Sequence, residues 1–468
     1  MRTKKRKPAL KFLAGILILV VLAACAAEVD GGKSTPALPT KTFWAQNLTN
    51  SAFYSFKADL LAEGERCKIW VEQASGRYCD SATAQKIADE YDTKIYPKMI
   101  DAFSIIEQKT EVGENIYVEN IMELADLLVD GDGKLSILLL DIKDGFTPQN
   151  GSYTAGYFSA VNFLEDNNPS YHSNEADMIY LDTYPAEPGG EESYQTLAHE
   201  MQHLMNFTTS ILKRSSGENI YLMDTWIDEG LSSAAEYIYR GDHVQERYEW
   251  FNQDPVKTIA LGNNFFVWGN HNDASILDDY ATVYLFFQWL RVQSEGQAND
   301  IYKDIIASQY PDYQAVTAAA EKNISWLNST TWKDLFEPWL AANYINAGSG
   351  KYGYNNDASL KTVKAKTAPA GTTSLQLLPG EAAYSLTTSN GNTASYTSGS
   401  GANIKYAGLT NDGIVNSSPT YTYTGGALLT YNAIPSITRK PANWTRWKKQ
   451  DTLQAQRRRN LPPKTTLA

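Results

Sequence analysis

The sequence has few cysteines, few histidines and no internal apolar run of membrane-spanning length. Its 468 residues include three cysteines and five histidines. Beyond the N-terminal leader, no apolar stretch reaches the roughly 20 residues that a transmembrane helix needs. Acidic residues outnumber basic ones by 53 to 41, and this balance disfavours binding to nucleic acid or to anionic headgroups. The length and apolar content fit a globular protein, for which we expect two domains.

The N-terminus has the features of an export signal. Met1–Lys7 is basic, and Phe12–Ala24 is an apolar run too short for a permanent span, so we predict a signal peptide over residues 1–24. Leu22-Ala23-Ala24-Cys25 resembles a bacterial lipobox, which implies cleavage before Cys25 and its lipidation; a plain secretory signal is the alternative. Without its six basic leader residues the net charge falls from −12 to −18. Residues 25–41 are predicted to be a flexible tether that holds the folded part near the membrane.

The two remaining cysteines form an even pair. Cys67 and Cys79 would lie in a compartment that permits oxidation, so we predict a disulfide between them. Closing that short loop would stabilise the fold by about 3 kcal/mol. A metal site would need further ligands nearby, and none stands out.

Two of the histidines stand four residues apart in His199-Glu200-Met201-Gln202-His203. On a helix, this spacing lets both imidazoles face one point and bind one ion, for which we predict zinc. Glu200 would lie beside the ion, where it can take a proton from water. Helical spacing of apolar residues, with no Pro or Gly from Ser193 to Phe207, supports the helix. The alternative is a pair of buried histidines without a ligand.

A third ligand is expected downstream, because a catalytic zinc site has three protein ligands and one open position. Glu229 is the candidate, within Trp226-Ile227-Asp228-Glu229-Gly230-Leu231-Ser232. A helix capped by Asp224 or Thr225 would pack this segment against the first helix. The alternative is a solvated carboxylate in a first helical turn, where the helix dipole favours acids.

These two motifs resemble those of the gluzincins, the zinc peptidases with a glutamate ligand, and the chain looks closest to the hyicolysin family. The resemblance implies a peptidase with zinc on His199, His203 and Glu229, and it extends from about Ile87 to Ile345. The further similar segments are Gly156–Phe158, Ser173–Asp182, Asp279–Phe287 and Trp339–Tyr344.

Two features depart from the gluzincin pattern. Many gluzincins have Asn before the ligand glutamate, whereas this chain has Asp228. The gap from Leu204 to Asp228, 25 residues, is also longer than in the best-known members. We interpret the extra length as an insertion in a surface loop around Lys213–Gly217.

Hydrophobic patterning predicts an α+β fold. The pattern favours one or two helices over Ala84–Gln108 and strands at Leu135–Asp141 and Met178–Leu181. Asp130-Gly131-Asp132-Gly133 could open a calcium loop ending at Asp141, but a turn into a buried strand is favoured. The resemblance implies a gluzincin-like domain of a mixed sheet and a helical subdomain, with the zinc helix packed behind the sheet.

The segment after Glu229 is mainly helical by pattern up to Ala347, with four tryptophans predicted to pack inside: Trp289, Trp326, Trp332 and Trp339. A side chain that stabilises the oxyanion of the transition state is also expected, since related peptidases use Tyr or His. Tyr280 leads the candidates, ahead of Tyr284, His243 and His271.

The predicted domain organisation is a peptidase domain over residues 42–348, a small β-rich accessory domain over 349–436 and a basic, disordered tail over 437–468. Short apolar runs separated by turn signals, at Ser374–Leu378, Ile404–Leu409 and Ala427–Tyr431, indicate the β-domain. The tail has nine basic residues and one Asp.

The sequence therefore predicts an exported, lipid-anchored, monomeric zinc endopeptidase acting on proteins or peptides. An endopeptidase is preferred because no G-x-M-E-N segment, which captures a free amine in related aminopeptidases, is present. Two alternatives stay open: a surface-binding lipoprotein with a non-catalytic zinc site, and a zinc hydrolase of non-peptide bonds.

Overall fold

The structure is a computed structural model. It describes residues 38–74, 78–104, 132–216, 219–262, 266, 268, 275–294, 298–327, 331–370, 372, 377–386, 404–418, 426–435, 442–443 and 458–460. The predicted signal peptide, Cys25 and most of the tether lie outside these residues.

A six-stranded mixed sheet forms the first layer. Its strands are β1 Thr40–Gln46, β2 Phe53–Glu63, β3 Cys67–Glu72, β4 Leu135–Leu140, β6 Gly156–Phe158 and β7 Met178–Asp182, in the order β1-β2-β3-β4-β7-β6. The β3–β4 and β4–β7 pairs are parallel, and the others are antiparallel. Every residue of β4 and β7 is buried, as expected of strands covered on both faces.

Helices cover one face of the sheet and make up most of the chain from residue 191 to 345. They are α1 Ser81–Glu90, α2 Tyr96–Phe103, α3 Glu191–Arg214, α4 Thr225–Arg240, α5 Gln245–Gln253, α6 Ile276–Gln293, α7 Ala298–Ile306, α8 Tyr313–Asn323 and α9 Trp332–Ile345. The longest, α3, packs against β6 and β7, so its centre lies behind the sheet. The predicted α+β class and the helical half are confirmed.

The four predicted packing tryptophans lie in or against the core. Trp289, Trp332 and Trp339 are buried, and Trp326 is partly buried with its ring 6.1 Å from that of Trp289. The helix predicted over Ala84–Gln108 is α1 and α2, joined by one π turn, and residues 105–108 lie outside the described part.

The Asp-Gly-Asp-Gly segment leads into a strand, as favoured above. A twelve-residue calcium loop ending at Asp141 would have to include Leu138–Leu140, which are ladder residues of β4 paired with β3 and β7. These backbone groups are committed to the sheet, so the calcium-loop alternative is wrong.

The predicted Cys67–Cys79 disulfide is absent from the structure, which has two free, buried thiols. The Cys67 thiol is directed at the carbonyl oxygen of Ala88 on α1, 4.0 Å away, and the Cys79 thiol at that of Asp80, 3.7 Å away. Burial raises the pKa of Cys67 far above its usual range and that of Cys79 to about 12, so both are protonated at neutral pH.

The predicted C-terminal β-region is an antiparallel sheet packed on the helices. It comprises β10 Ala382–Leu386, β11 Ile404–Thr410, β12 Gly413–Ser418 and β13 Ala427–Asn432, in the order β10-β13-β11-β12. The Tyr384 hydroxyl donates to the carbonyl oxygen of Leu340 in α9 at 2.7 Å, and the Tyr431 ring lies 6.3 Å from that of Phe336. These contacts join the sheet to the same core as the helices.

Shorter strands complete the described chain. They are β5 Ser152–Thr154, β8 Ser215–Ser216, β9 Asn219–Ile220, β14 Ala442–Asn443 and β15 Arg458–Asn460. Within the part that the structure describes, no helix has the length and apolar character needed to cross a membrane.

Candidate metal centre

Helix α3 carries the H-E-x-x-H motif in its buried middle. The helix begins directly after Gly189-Gly190, where Gly189 has a φ of +73° that favours glycine, and Glu191 and Glu192 lie in its first turn. His199, Glu200 and His203 are each at most 2% exposed. The motif therefore lies inside the molecule, on the part of α3 that packs against α4.

Helix α4 brings Glu229 to the two histidines. Asp224 is its N-cap residue, as predicted, and accepts hydrogen bonds through its backbone carbonyl from Ile227 and Asp228. Glu229 Oε2 lies 3.5 Å from His199 Nε2 and 3.7 Å from His203 Nε2. One ligand atom from each residue lies within 4.8 Å of the others, so the predicted ligands converge on one point.

The donor set fits a divalent metal ion. His203 Nε2 and Glu229 Oε2 are buried and make no hydrogen bond to the described residues. Buried polar atoms are normally paired, so this arrangement points to a ligand shared between them. Two imidazole nitrogens and a carboxylate oxygen are the ligands of a catalytic zinc site with one position left for water.

Carboxylates hold the far side of each imidazole. His199 Nδ1 lies 2.8 Å from Glu236 Oε1, and His203 Nδ1 lies 3.0 Å from Asp228 Oδ2. Such partners turn the Nε2 atoms toward a metal and increase their basicity. The sequence reasoning missed Glu236, although its position two turns after Glu229 on the same helix was a usable signal.

The surrounding carboxylates give the centre a negative potential. Burial on its own lowers the pKa of His203, but the neighbouring acids, Asp228 first and then Glu229, outweigh burial and raise that pKa to about 10. A site that favours positive charge on an imidazole also favours a bound cation.

Glu200 is held by the main chain of the sheet. Its Oε2 accepts a hydrogen bond from the backbone N–H of Phe158 in β6 at 3.0 Å. This approach requires close contact between α3 and β6 at Gly156, where an added Cβ would lie 2.7 Å from Thr196 Cγ2 and 2.8 Å from the Tyr180 carbonyl oxygen. The Gly156–Phe158 segment thus positions the predicted proton acceptor, which its sequence alone did not reveal.

The candidate oxyanion residues occupy two different places. The Tyr280 ring on α6 lies 6.4 Å from the His199 ring, under the Arg247 guanidinium and 5.0 Å from the Trp268 ring. Tyr284 and His243 instead bond each other, with the Tyr284 hydroxyl 2.8 Å from His243 Nδ1.

The other nitrogen of His243, Nε2, lies 3.0 Å from Asp357 Oδ2. His243 therefore links Asp357 to Tyr284 on α6. His271 lies outside the described residues. Of the three candidates that the structure describes, Tyr280 is the one beside a predicted ligand.

Much of the extra length between His203 and Asp228 lies in a helix rather than in a loop. Helix α3 continues through Arg214, which is 3% exposed, and β8 and β9 form a short hairpin after it. Arg214 therefore does not belong to a solvated connection, in contrast to its predicted place in the loop, whereas Lys213 is exposed as predicted and Gly217 lies outside the described residues.

We predict that Gly230→Ala destabilises the fold and displaces the adjacent Glu229. An added Cβ would lie 2.2 Å from Phe287 Cε2 on α6, and the expected net loss is about 1–3 kcal/mol despite the better helix propensity of Ala. The temperature of thermal unfolding and the affinity for zinc should both fall. Adding Phe287→Leu, which removes the obstructing ring, should restore part of both; no change in either for Gly230→Ala would contradict the prediction.

Two comparisons relate the chain to known metallopeptidases. Residues 51–249 match the family model described as Peptidase M30. The chain is also 29% identical over 332 residues to the protein named Neutral metalloprotease ShpI of Staphylococcus hyicus, covering 70% of this chain and 67% of that protein. The matched region contains both helices of the metal centre.

Proposed function

We propose that the chain, as a member of the hyicolysin family of metallopeptidases, is a zinc endopeptidase. Its single zinc ion would be held by His199, His203 and Glu229. The observation that carries the proposal is the convergence of three buried ligand atoms, two of which lack any other described partner. Proteins and peptides are the expected substrates.

The roles of the protein groups follow from their positions. When bound, zinc would lower the pKa of a water toward about 7 and polarise the scissile carbonyl. Glu200, one turn before His203 and anchored by the Phe158 N–H, would accept a proton from the attacking water and pass it to the leaving amine. No covalent intermediate is then expected. Tyr280 would stabilise charge on the carbonyl oxygen, a role that its place beside His199 supports.

Export is the second part of the proposal. The basic and apolar leader and the Leu22–Cys25 segment support translocation, with lipid on Cys25 anchoring a monomeric peptidase outside the cytoplasm. Cys25→Ala should release the protein from the cell envelope into the medium without loss of peptidase activity. Retention on the membrane would contradict the anchor, and release without activity would contradict only the expectation that the lipid takes no part in catalysis.

The decisive test is casein hydrolysis by the purified protein. We expect activity that a chelator abolishes and that stoichiometric zinc restores, because the proposed reaction needs an ion on His199, His203 and Glu229. Bound zinc without turnover of casein or of any peptide library would favour the surface-binding lipoprotein. Hydrolysis of small esters or amides alone would favour the non-peptide hydrolase.

A further inference from the structure

A chain of polar contacts leads from His203 away from the metal centre. Asp228 Oδ2 faces His203 Nδ1 at 3.0 Å, and its other oxygen, Oδ1, accepts from the Asn206 amide at 2.5 Å. Asn206 lies three residues after His203 on α3, so its amide lies on the same side of the helix as the imidazole. Both oxygens of Asp228 are therefore engaged, and its carboxylate plane is fixed.

Arg214 completes the chain at the end of α3. Its Nη2 donates to Asn206 Oδ1 at 3.3 Å and to Ser210 Oγ at 2.7 Å, and its Nη1 donates to the carbonyl oxygens of Ile306 and Ser308 at 2.9 and 2.7 Å. Hydrogen bonds to these two backbone carbonyl oxygens hold the guanidinium at the C-terminal end of α7. The oxygen of the Asn206 amide accepts a hydrogen bond from Arg214, and its nitrogen donates one to Asp228. These two hydrogen bonds fix the orientation of the amide.

Arg214 is a buried charge with no carboxylate in ion-pair contact among the residues that the structure describes. Burial lowers its pKa to about 10, and the acid that opposes this effect is Asp228. A buried guanidinium is costly unless charge and hydrogen bonds compensate it. The Asn206 amide joins the guanidinium of Arg214 to the carboxylate that also faces His203.

We propose that Asp228 and Asn206, with Arg214 behind them, form a positioning relay that fixes the His203 imidazole with its Nε2 facing the metal. The inference rests on the proposed function only in taking His203 as a ligand. Asp228 is 29% exposed, so solvent and the hydrogen bond from Asn206 stabilise its charge, and that charge strengthens its contact with Nδ1.

Ser232 offers a weaker alternative to the relay. Its Oγ lies 3.1 Å from His203 Nδ1, and its hydroxyl donates to Gln202 Oε1. A neutral oxygen can hold the ring but does not increase its basicity as a carboxylate does. We therefore expect Ser232→Ala to weaken metal binding less than Asp228→Asn does.

Metal affinity of the full-length protein tests the relay. Zinc would be titrated into chelator-treated protein against a chromophoric competitor, and the absorption spectrum of the Co²⁺ form would report the ligand geometry. We expect Asp228→Asn and Asn206→Leu each to weaken zinc binding by about 10–100-fold and to alter the Co²⁺ spectrum. The double variant should be no weaker than Asp228→Asn, because both changes break one relay.

Asn252→Leu is the matched control. The Asn252 amide also makes two hydrogen bonds, from its nitrogen to the Thr362 carbonyl oxygen at 3.0 Å and from the Lys364 N–H to its oxygen at 2.8 Å, but it takes no part in the metal centre. Its removal should lower thermal stability and leave zinc affinity unchanged. This comparison separates a loss of folding from a loss of positioning.

Two outcomes would overturn the relay and one would overturn its premise. Wild-type affinity in Asp228→Asn, or losses in the two single variants that simply add in the double variant, would show that the contacts do not act as one unit. If a variant does not fold, the same titration of Arg214→Lys, which keeps the charge, must show an intermediate affinity. Absence of zinc binding by the wild-type protein would instead remove the proposed metal centre itself.

Discussion

Glu200→Gln is expected to lower kcat/KM for peptide hydrolysis by about 10²–10⁴-fold while zinc content stays at the wild-type level. The substitution keeps the size of the side chain and an oxygen that can accept from the Phe158 N–H, but it removes the proton acceptor. Zinc content would be measured by elemental analysis, and rates would be measured with a quenched fluorescent peptide over a pH series.

The matched control is Glu192→Gln, an exposed residue in the first turn of the same helix. It removes the same charge from α3 without touching the centre, so activity should stay within about twofold of wild type. A Glu200→Gln enzyme that retains wild-type kcat/KM would exclude Glu200 as the proton acceptor. Loss of zinc along with activity would assign Glu200 a part in holding the ion.

Glu229→Ala should weaken zinc binding by more than about 100-fold, beyond the range expected for groups that only orient a ligand. Glu229 Oε2 is the sole carboxylate oxygen in the ligand cluster of the described residues, and its loss leaves two nitrogens facing the ion. At a zinc concentration a thousandfold above the wild-type Kd, zinc should stabilise the wild type by about 4 kcal/mol and Glu229→Ala by about 1.4 kcal/mol at most.

Glu246→Ala provides the comparison, since Glu246 is exposed in the first turn of α5. Its zinc-dependent rise in Tm should equal that of the wild type. Measurements would use thermal unfolding of chelator-treated protein with and without added zinc. Wild-type zinc affinity in Glu229→Ala would place the third ligand elsewhere and would contradict the proposed centre.

The sequence predicted those features that depend on local periodicity. Spacing of apolar residues located α3, β4 and β7, and the H-E-x-x-H motif with Glu229 named three side chains that the structure brings together. These predictions succeed because a helix places residues four apart on one face, and because a buried strand is a short apolar run.

The features that sequence reasoning missed depend on contacts between distant segments. The bond from the Phe158 N–H to Glu200 joins a backbone group to a side chain 42 residues away, and Glu236 meets His199 across 37 residues. Arg214 was predicted to lie in a surface loop because the gap from Leu204 to Asp228 is longer than in the best-known gluzincins. Only the packing of α3 against the end of α7 reveals that its charge is buried.

The bond between the Phe158 N–H and Glu200 has a consequence for sequence variation. The donor belongs to the polypeptide backbone, so exchange of residue 158 for any amino acid except proline keeps the donor itself. Substitution at position 158 therefore does not remove the donor that holds Glu200, the proposed proton acceptor. At position 156, by contrast, the narrow gap to α3 leaves glycine as the one residue that fits without displacement, and a library of random replacements there should yield almost exclusively inactive clones.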